Sequence, residues 1–308
     1  MTALGPDSRW SDLGGRTHWI DFGGPADGPL LVMVHGLGGS HANWLALAPL
    51  LTPTCRVVAL DLVGFGRTRG DGRSASVPAN RELLHRFLRE VVGTPAILVG
   101  NSMGGLLSTL EAAEHPRDVA GLVLLDPALP PSPRGRPDPM VVGMFGAYLT
   151  PAGRRAIAQR RSSPEQMAMD VLRLCCVDPS RVPKDVLQAH LQLARTREYS
   201  PEMEAEFVAA TRTLLWTLAR RRTYAKLQRH VVAPVLLIHG DRDRLIHVAS
   251  ARAAARRNPH WRYEELPDIG HVPQLEAADR TAELILDWMG AEGARATEQA
   301  RGAAAPAA

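Results

Sequence analysis

Gly100-Asn101-Ser102-Met103-Gly104-Gly105 is the stretch of sequence that decides the fold. It directly follows an apolar run at residues 96–99 and directly precedes a helical pattern over residues 103–115. A G-x-S-x-G sequence in that setting predicts a tight turn from strand to helix, where any Cβ on the flanking positions would clash. Such a turn strains the serine at the strand end and exposes its Oγ. Ser102 is therefore the candidate nucleophile.

Short apolar runs that are closed by Gly, Asp or Pro recur on both sides of this turn. Runs of this length, rich in Val and Leu, are typical of strands buried in a parallel sheet. Helical patterns separate them, so the repetition predicts an α/β fold with a doubly wound, mostly parallel sheet and an antiparallel N-terminal edge. The predicted strands are residues 10–13, 18–22, 30–34, 56–60, 96–99, 122–125, 235–238 and 262–266. The predicted core helices are residues 43–51, 78–93, 103–115, 248–257 and 275–289.

The pattern changes after residue 130. Five prolines lie within residues 130–139, which is a linker composition, and residues 140–229 are helical in pattern without buried-strand runs. We therefore expect a core of residues 1–130 and 231–290, with residues 131–230 inserted as a helical cap. A chain of 308 residues is long enough for two such units. Residues 291–308 are rich in Ala, Gly, Glu and Arg and predict a flexible tail.

The composition excludes several classes of protein. The 45% hydrophobic and 22% charged residues are ordinary for a soluble globular chain, and we find neither a signal-peptide pattern nor an apolar run of membrane-spanning length. Three cysteines (Cys55, Cys175 and Cys176) are too few for a disulfide framework and predict a reducing, cytoplasmic compartment. The histidines lack metal-ligand spacing, and no phosphate loop or dinucleotide fingerprint is present. We expect no metal and no cofactor.

A serine hydroxyl is a weak nucleophile and needs a base that is held by a carboxylate. His271 fits the base, because it lies in a loop between the last predicted strand and the final helix. Three aspartates are candidates for the carboxylate: Asp243 and Asp241 after the strand at 235–238, and Asp126 after the strand at 122–125. Asp243 is favoured, because it lies further out over the strand end and can reach Nδ1 of His271. Asp241 is expected to organise its turn.

Together these motifs resemble the motif set of the α/β-hydrolase superfamily over residues 10–290. The family's order of serine, acid and histidine is present. The resemblance implies an oxyanion hole made by the backbone N–H groups of Leu37 and Met103, whereas we read His35 and the Asp61–Arg67 pair as structural. The motifs are His35-Gly36-Leu37-Gly38-Gly39, Asp61-x-x-Gly64-Phe65-Gly66-Arg67-Thr68, the Ser102 turn, Gly240-x-x-Asp243 and Gly270-His271.

The resemblance implies a serine hydrolase in which Ser102 attacks a carbonyl, His271 moves the proton and Asp243 orients the imidazole. A carboxylic ester with an apolar acyl or alcohol part is the favoured substrate. One alternative is a carbon–carbon bond hydrolase of vinylogous diketones, whose serine turn is similar. Its members typically carry Trp after the histidine, where this chain has Val272. A second alternative is a non-catalytic ligand-binding or signalling protein on a hydrolase scaffold, against which the complete set of three residues counts.

The net charge of +4 is unevenly distributed. Residues 131–230 hold 15 Arg and 2 Lys against 9 Asp and Glu, so this segment carries +8 and the rest of the chain −4. Three readings are open: a solvated helix face, steering of an anionic substrate, or weak contact with an anionic membrane surface. Nucleic-acid binding is not expected, because the arginine clusters lack interleaved aromatic residues. These clusters are Arg154-Arg155, Arg160-Arg161 and Arg220-Arg221-Arg222. The oligomeric state is left open.

Overall fold

Apolar runs that predicted buried strands all form strands of one sheet. The structure is a computed structural model that describes residues 7–136, 138–159, 163–196 and 201–304. Its eight described strands are β1 (Asp7–Asp12), β2 (Arg16–Gly23), β3 (Leu30–Val34), β4 (Arg56–Leu60), β5 (Ala96–Asn101), β6 (Val119–Leu125), β7 (Val235–Gly240) and β8 (Arg262–Leu266). The order in the sheet is β1-β2-β4-β3-β5-β6-β7-β8. Strands β3 to β8 are parallel, and β1 and β2 form the antiparallel edge. The predicted fold class is confirmed.

Helices cover both faces of the sheet and fill the segment between β6 and β7. The core helices are α1 (Ala48–Leu51), α2 (Val77–Arg86), α3 (Met103–Glu114), α10 (Val248–Arg257), α11 (Pro273–Glu276) and α12 (Ala278–Ala304). The inserted helices are α4 (Pro139–Leu149), α5 (Pro151–Gln159), α6 (Pro164–Cys175), α7 (Lys184–Thr196), α8 (Pro201–Ala219) and α9 (Arg221–Arg229). No helix among the described residues is long and apolar enough to cross a membrane.

Three helical segments differ from the sequence prediction. The helix predicted at 43–51 is a 3-10 turn (His41–Trp44) followed by the short α1, and the helix predicted at 275–289 is broken at Ala277 into α11 and α12. The last helix, α12, also continues past its predicted end at residue 289 as far as Ala304, and the flexible tail at residues 291–308 stays a prediction. Ala, Glu and Arg have high helix propensity, so a helix can continue there without an apolar stripe.

Alternate side chains of each central strand point to opposite faces of the sheet, and both faces are buried. In β3, Val32 and Val34 pack in one core layer with α2 and α3 residues, whereas Leu31 and Met33 pack in the other with α12 residues. All four side chains are fully buried. Burial on both faces explains why these strands read as continuous apolar runs and could be located from the sequence.

The strand order places a topological switch point at β3. From β3 the chain goes first to β4 on one side and then to β5 on the other. In open α/β sheets, ligands bind outside the carboxyl ends of the strands at such a point. The loop that follows β3 and the turn that follows β5 therefore face the same crevice, and these carry Leu37 and Ser102.

The inserted helices are attached to the core at more than one place. Thr213 Oγ1 of α8 accepts a hydrogen bond from the N–H of Val77 at 2.9 Å, which ties α8 to the start of α2. A separate apolar cluster joins α6 and α7 to the segment after His271, and it includes Leu172, Val186 and Val272. The cap arginines Arg160 and Arg161 lie outside the described residues.

Replacement of Gly104 should destabilise the fold. A Cβ at Gly104 would lie 1.9 Å from the carbonyl oxygen of Val34, because α3 starts directly against the end of β3. We expect Gly104→Ala to lower the free energy of unfolding by about 3 kcal/mol. Gly146→Ala is the matched control: its Cβ would meet no atom within 4 Å, and Ala in the interior of α4 should stabilise by about 0.5–1 kcal/mol. Urea denaturation of both variants checks this, and equal stabilities would contradict the close approach.

Candidate active site

Ser102 lies in a strained turn between β5 and α3. Its φ of +52° and ψ of −119° are unusual for a residue with a side chain, and it is the N-cap of α3. Backbone hydrogen bonds hold it: its N–H donates to Leu125 at 3.2 Å, and its carbonyl accepts from Leu106 at 3.1 Å and Ala128 at 2.9 Å. Such a strained conformation persists only when many contacts with the surrounding structure hold it in place. The structure thus forms the turn that the sequence predicts, at the carboxyl end of a central strand.

His271 and Asp243 form a hydrogen-bonded pair. Nδ1 of His271 lies 2.7 Å from Oδ2 of Asp243, and both residues are buried. The other oxygen, Oδ1 of Asp243, accepts from the N–H groups of Leu245 at 2.8 Å and Ile246 at 3.0 Å. Burial alone would raise the pKa of Asp243, but the charge of His271 and its hydrogen bond lower it below the ordinary value. Because an ionised carboxylate can only accept, Nδ1 of His271 carries the hydrogen of this bond.

A second buried carboxyl group, Asp126, lies beside this pair. Oδ1 of Asp126 accepts from the N–H of Gly240 at 2.9 Å, and His239 Nε2 lies 3.5 Å from both Asp126 and Asp243. Burial, and then the negative charge of Asp243, raise the pKa of Asp126 well above its ordinary value. Burial also disfavours the charged form of His239, and it therefore lowers the pKa of this histidine. Negative charge is therefore favoured on Asp243 and disfavoured on Asp126, and burial disfavours positive charge on His239.

The three candidate aspartates thus occupy different environments. Asp241 makes no hydrogen bond to His271 in the described part of the chain. Its Oδ1 accepts from the N–H of Asp268 at 2.7 Å and fixes the turn between β7 and the loop after β8. Asp126 has no hydrogen bond to His271 among the described contacts, and it bonds instead to the backbone of Gly240. Of the three, Asp243 is the one that the structure brings against Nδ1 of His271.

Asn101 connects the serine turn to the histidine loop. Its side-chain N–H donates to the carbonyl oxygens of Leu125 and His271, both at 3.0 Å. No role was predicted for Asn101, whose one signal in the sequence is a polar side chain at the end of an apolar strand. The contact spans 170 positions of the sequence, so it becomes visible only in the folded chain.

The backbone N–H groups of Leu37 and Met103 lie at the ends of the two strands that flank the switch point. Neither donates to an acceptor in the described part of the chain. At Met103 this is expected, because the first N–H groups of a helix have no partner within it. A Cβ on Gly36 would lie 3.0 Å from Cβ of Ser102, so the loop after β3 passes directly beside the serine.

Asp61 organises the loops around this site. Its buried carboxylate lies 2.7 Å from Nδ1 of His18 and 2.9 Å from Nδ1 of His41, and it accepts from the N–H of Arg67 at 2.8 Å. Burial would raise the pKa of Asp61, but the hydrogen bonds of His18 and His41 hold it far below its ordinary range. His35 is also structural: its Nε2 accepts from the N–H of Leu62 at 3.0 Å. These contacts match the structural roles that we predicted for His35 and Asp61.

Helices α4 and α8 approach the loop after β3. The ring of Phe207 lies 3.5 Å from the position of a Cβ on Gly38, and it packs against Tyr148 with ring centroids 4.8 Å apart. Burial, together with the charge of Glu204, raises the pKa of Tyr148. The aromatic pair of Tyr148 and Phe207 therefore lies beside the crevice at the carboxyl end of β3.

Three groups of histidine and carboxylate side chains place possible ligand atoms within 4.8 Å of one another. In each group the carboxylate already has a protein partner: Asp61 pairs with His18, Asp118 with Arg89, and Asp243 with His271. The described residues therefore give no reason to assign a metal ion to any of them.

Comparisons with known proteins agree with the fold. A protein-family model described as the alpha/beta hydrolase family matches residues 31–284. The chain is 29% identical to the dihydrolipoyllysine-residue acetyltransferase component of the acetoin cleaving system of Pseudomonas putida, over 93% of this chain and 70% of that protein. It is 26% identical to human monoacylglycerol lipase ABHD6, over 87% of this chain and 77% of that protein. The solved structure of Cfl2 from Burkholderia cenocepacia superposes with a TM-score of 0.76 at 22% identity, over 92% of this chain and 96% of that one.

Asp61→Asn should destabilise the protein in a pH-dependent way. At pH 7 we expect the free energy of unfolding to fall by about 3 kcal/mol or more, because two buried histidines lose a charged partner. The pKa of Asp61 is lowered by folding, so its contribution is present above the ordinary carboxyl pKa of about 4 and is lost as the pH falls below it.

The difference between wild type and Asp61→Asn should therefore narrow between about pH 5 and pH 2, measured by denaturant unfolding at each pH. Asp27→Asn, at an exposed position, is the control and should match wild type throughout. A difference that stays constant over this pH range would contradict the role of the ionised carboxylate.

Proposed function

The chain belongs to the alpha/beta hydrolase family and is a hydrolase, and we propose that it cleaves a carboxylic ester through an acyl-enzyme formed on Ser102. The observation that carries this proposal is the strained Ser102 at the head of α3, at the same end of the sheet as the His271–Asp243 pair. A half-buried serine that is held in a strained turn at the start of a helix suits nucleophilic attack.

In the proposed reaction, Nε2 of His271 takes the proton of Ser102 as Oγ attacks the ester carbonyl. Asp243 holds Nδ1–H and stabilises the imidazolium that forms, without itself taking the proton. The tetrahedral intermediate collapses when the C–O bond breaks and His271 gives its proton to the departing alcohol. Water then attacks the acyl-enzyme while His271 takes its proton. The bond between the acyl carbon and Oγ breaks, His271 returns the proton to Oγ of Ser102, and the carboxylic acid leaves. Electrons and protons balance at each step without a cofactor.

We propose that the N–H groups of Leu37 and Met103 bind the oxyanion. Both amides lack an acceptor among the described residues, and both belong to segments that border Ser102. The N-terminus of α3 adds a partial positive charge at the same place. Donors that are fixed before the reaction act where charge develops, and one such donor is worth about 3 kcal/mol in a serine protease.

The ester is favoured as the substrate on two grounds. One relative is named a monoacylglycerol lipase, and another carries the name of an acetyltransferase component, so acyl groups figure in both names. In this chain, the aromatic pair of Tyr148 and Phe207 stands over the loop that carries Leu37, and such a surface suits an apolar acyl or alcohol part.

A carbon–carbon bond hydrolase of vinylogous diketones is the second candidate. The observation that favours it is the Gly-Asn-Ser-Met-Gly-Gly sequence of the serine turn. Against it stands Val272, which is buried in the apolar cluster with Leu172 and Val186 and leaves that position without an aromatic ring. Cleavage of a dienoate ring-fission substrate much faster than of any ester would favour this candidate.

The basic charge of the cap (residues 131–230) is partly paired with acidic side chains, which leaves it a modest role in recognising an anionic substrate or membrane surface. Several cap arginines pair with acids, including Arg154 with Glu204 and Arg195 with Glu165. Arg220 instead lies over the half-exposed ring of Trp216, 3.2 Å from its centroid. We propose that most of this charge is a solvated helix face, with steering of an anionic substrate or weak membrane-surface contact as its further uses.

Ser102→Ala should abolish turnover of short and medium p-nitrophenyl esters, because no other group supplies the acyl acceptor. We expect a loss of about 10⁴-fold or more in kcat, with the fold unchanged by circular dichroism. A fluorophosphonate should label wild type at Ser102 and leave the variant unlabelled, as read by peptide mass spectrometry. Turnover by Ser102→Ala near the wild-type rate would remove Ser102 as the nucleophile.

Substitution of the aspartates should separate their roles. Asp243→Asn should lower kcat by about 10³–10⁴-fold, because the amide cannot stabilise the imidazolium and favours the wrong tautomer. Asp241→Asn is the matched control and should cost less than about threefold, since its Oδ1 can still accept from the N–H of Asp268. Steady-state kinetics on one p-nitrophenyl ester suffice. The reverse order of effects would reassign the acid to Asp241.

A further inference from the structure

Glu276 is a buried carboxylate that the proposed reaction does not use. It ends the short helix α11, five residues after His271, and its side chain is fully buried. Burial of a carboxylate is costly unless hydrogen bonds satisfy it, so its contacts indicate what it does.

Each oxygen of Glu276 accepts from a backbone N–H of a different segment. Oε2 accepts from Gly270, directly before His271, at 2.8 Å. Oε1 accepts from Asp178, which follows helix α6 of the cap, also at 2.8 Å. The carboxylate therefore bridges the histidine loop (residues 268–272) and the end of α6 (residues 175–178).

Backbone contacts join the same two segments next to this bridge. The N–H of His271 donates to the carbonyl oxygen of Cys175 at 2.6 Å. A Cβ on Gly270 would lie 2.1 Å from that same oxygen, so the two chains are in direct contact. Cys175 and Cys176 are both buried in the apolar cluster with Val272. The cap thus supplies the acceptor for the backbone N–H of the proposed base.

Arg181 closes the junction on its outer side. It lies in the 3-10 turn Pro179–Arg181 that follows α6, and its guanidinium donates to the carbonyl oxygen of Asp268 at 2.7 Å and to its carboxylate at 2.5 Å. The same guanidinium lies 3.6 Å from Oε1 of Glu276. The cap therefore bonds the histidine loop at Asp268, through Arg181, and at His271, through Cys175.

We propose that Glu276 is a positioning residue: by bridging Gly270 N–H and Asp178 N–H, it makes the end of α6 and the histidine loop one rigid body, so that the cap sets the place of the His271 imidazole. This rests on the proposed role of His271 as base. Displacement of α6 withdraws the Cys175 carbonyl oxygen from the N–H of His271, so that His271 shifts relative to Ser102 while the aromatic pair on α4 and α8 is unaffected.

The test is Glu276→Gln in the full-length protein, assayed with a p-nitrophenyl ester. An amide offers one acceptor oxygen and turns its NH₂ group toward the second N–H, so the bridge is broken. We expect kcat to fall by about 10–100-fold while KM changes less than about threefold, because a misplacement of about 1 Å costs this much in rate. Glu276→Asp, which keeps the charge on a shorter stem, should recover part of kcat.

Hydrogen exchange gives a readout that does not depend on activity. In Glu276→Gln, amides of residues 175–182 and 268–276 should both exchange faster. Thr213→Val is the matched control, because it removes another hydrogen bond between cap and core, at Val77. It should speed exchange near α8 and leave kcat and the histidine loop unchanged.

Active-site titration with a fluorophosphonate separates positioning from loss of folded protein, because kcat is then counted per labelled Ser102. Wild-type kcat per labelled site in Glu276→Gln would overturn the proposal, and so would accelerated exchange of one segment alone.

If Glu276→Gln does not fold, Arg181→Ala tests the same junction from its exposed side and should lower kcat by about threefold at constant KM. An unchanged kcat in folded Arg181→Ala would then overturn the proposal. Activity that survives Ser102→Ala would instead overturn the proposed function. The exchange data would still test whether Glu276 bridges the two segments.

Discussion

The left-handed backbone at Ser102 is the constraint on which the rest of the site depends. Such a conformation costs about 1–3 kcal/mol and is kept by contacts on every side. Leu125 and Ala128 bond it from the strand end of β6, and Leu106 bonds it from α3. The turn also requires that α3 begin against the carbonyl of Val34, and no side chain fits there. The packing of β3, β5 and α3 at the switch point is therefore arranged around one serine.

Hydrogen bonds to the backbone of His271 connect the serine turn with the inserted helices. Its carbonyl accepts from Asn101, next to the serine, and its N–H donates to Cys175 at the end of a cap helix. Its side chain is fixed by Asp243. The serine turn, the histidine loop and the inserted helices are thus connected through one residue, His271. Reorganisation during a reaction is small when groups are held in this way, which is the physical basis of catalysis by preorganised sites.

The sequence predicted those secondary-structure elements whose bounds depend on the local pattern of residues. The strands Leu30–Val34, Arg56–Leu60 and Arg262–Leu266 match the predicted bounds, since runs of apolar or β-prone residues closed by Gly, Asp or Pro leave little choice. The last helix continues to Ala304, past its predicted end at residue 289, because helix propensity there acts without an apolar face. Asn101 and Glu276 were missed, because their partners lie 170 and 98 positions away and neither has a local motif. Such roles are created by the fold.

The charge arrangement beneath His271 shows why similar aspartates act differently. Asp243 and Asp126 are both buried, and two neighbouring carboxylates cannot both ionise in a medium of low dielectric. Asp243 accepts two backbone N–H groups and the imidazole, which favours its ionised form, whereas the oxygen Oδ1 of Asp126 accepts one. The pKa of Asp126 is therefore raised, whereas that of Asp243 is lowered. Two buried side chains of the same chemistry thus differ in charge preference, because the fold gives them different hydrogen-bond donors.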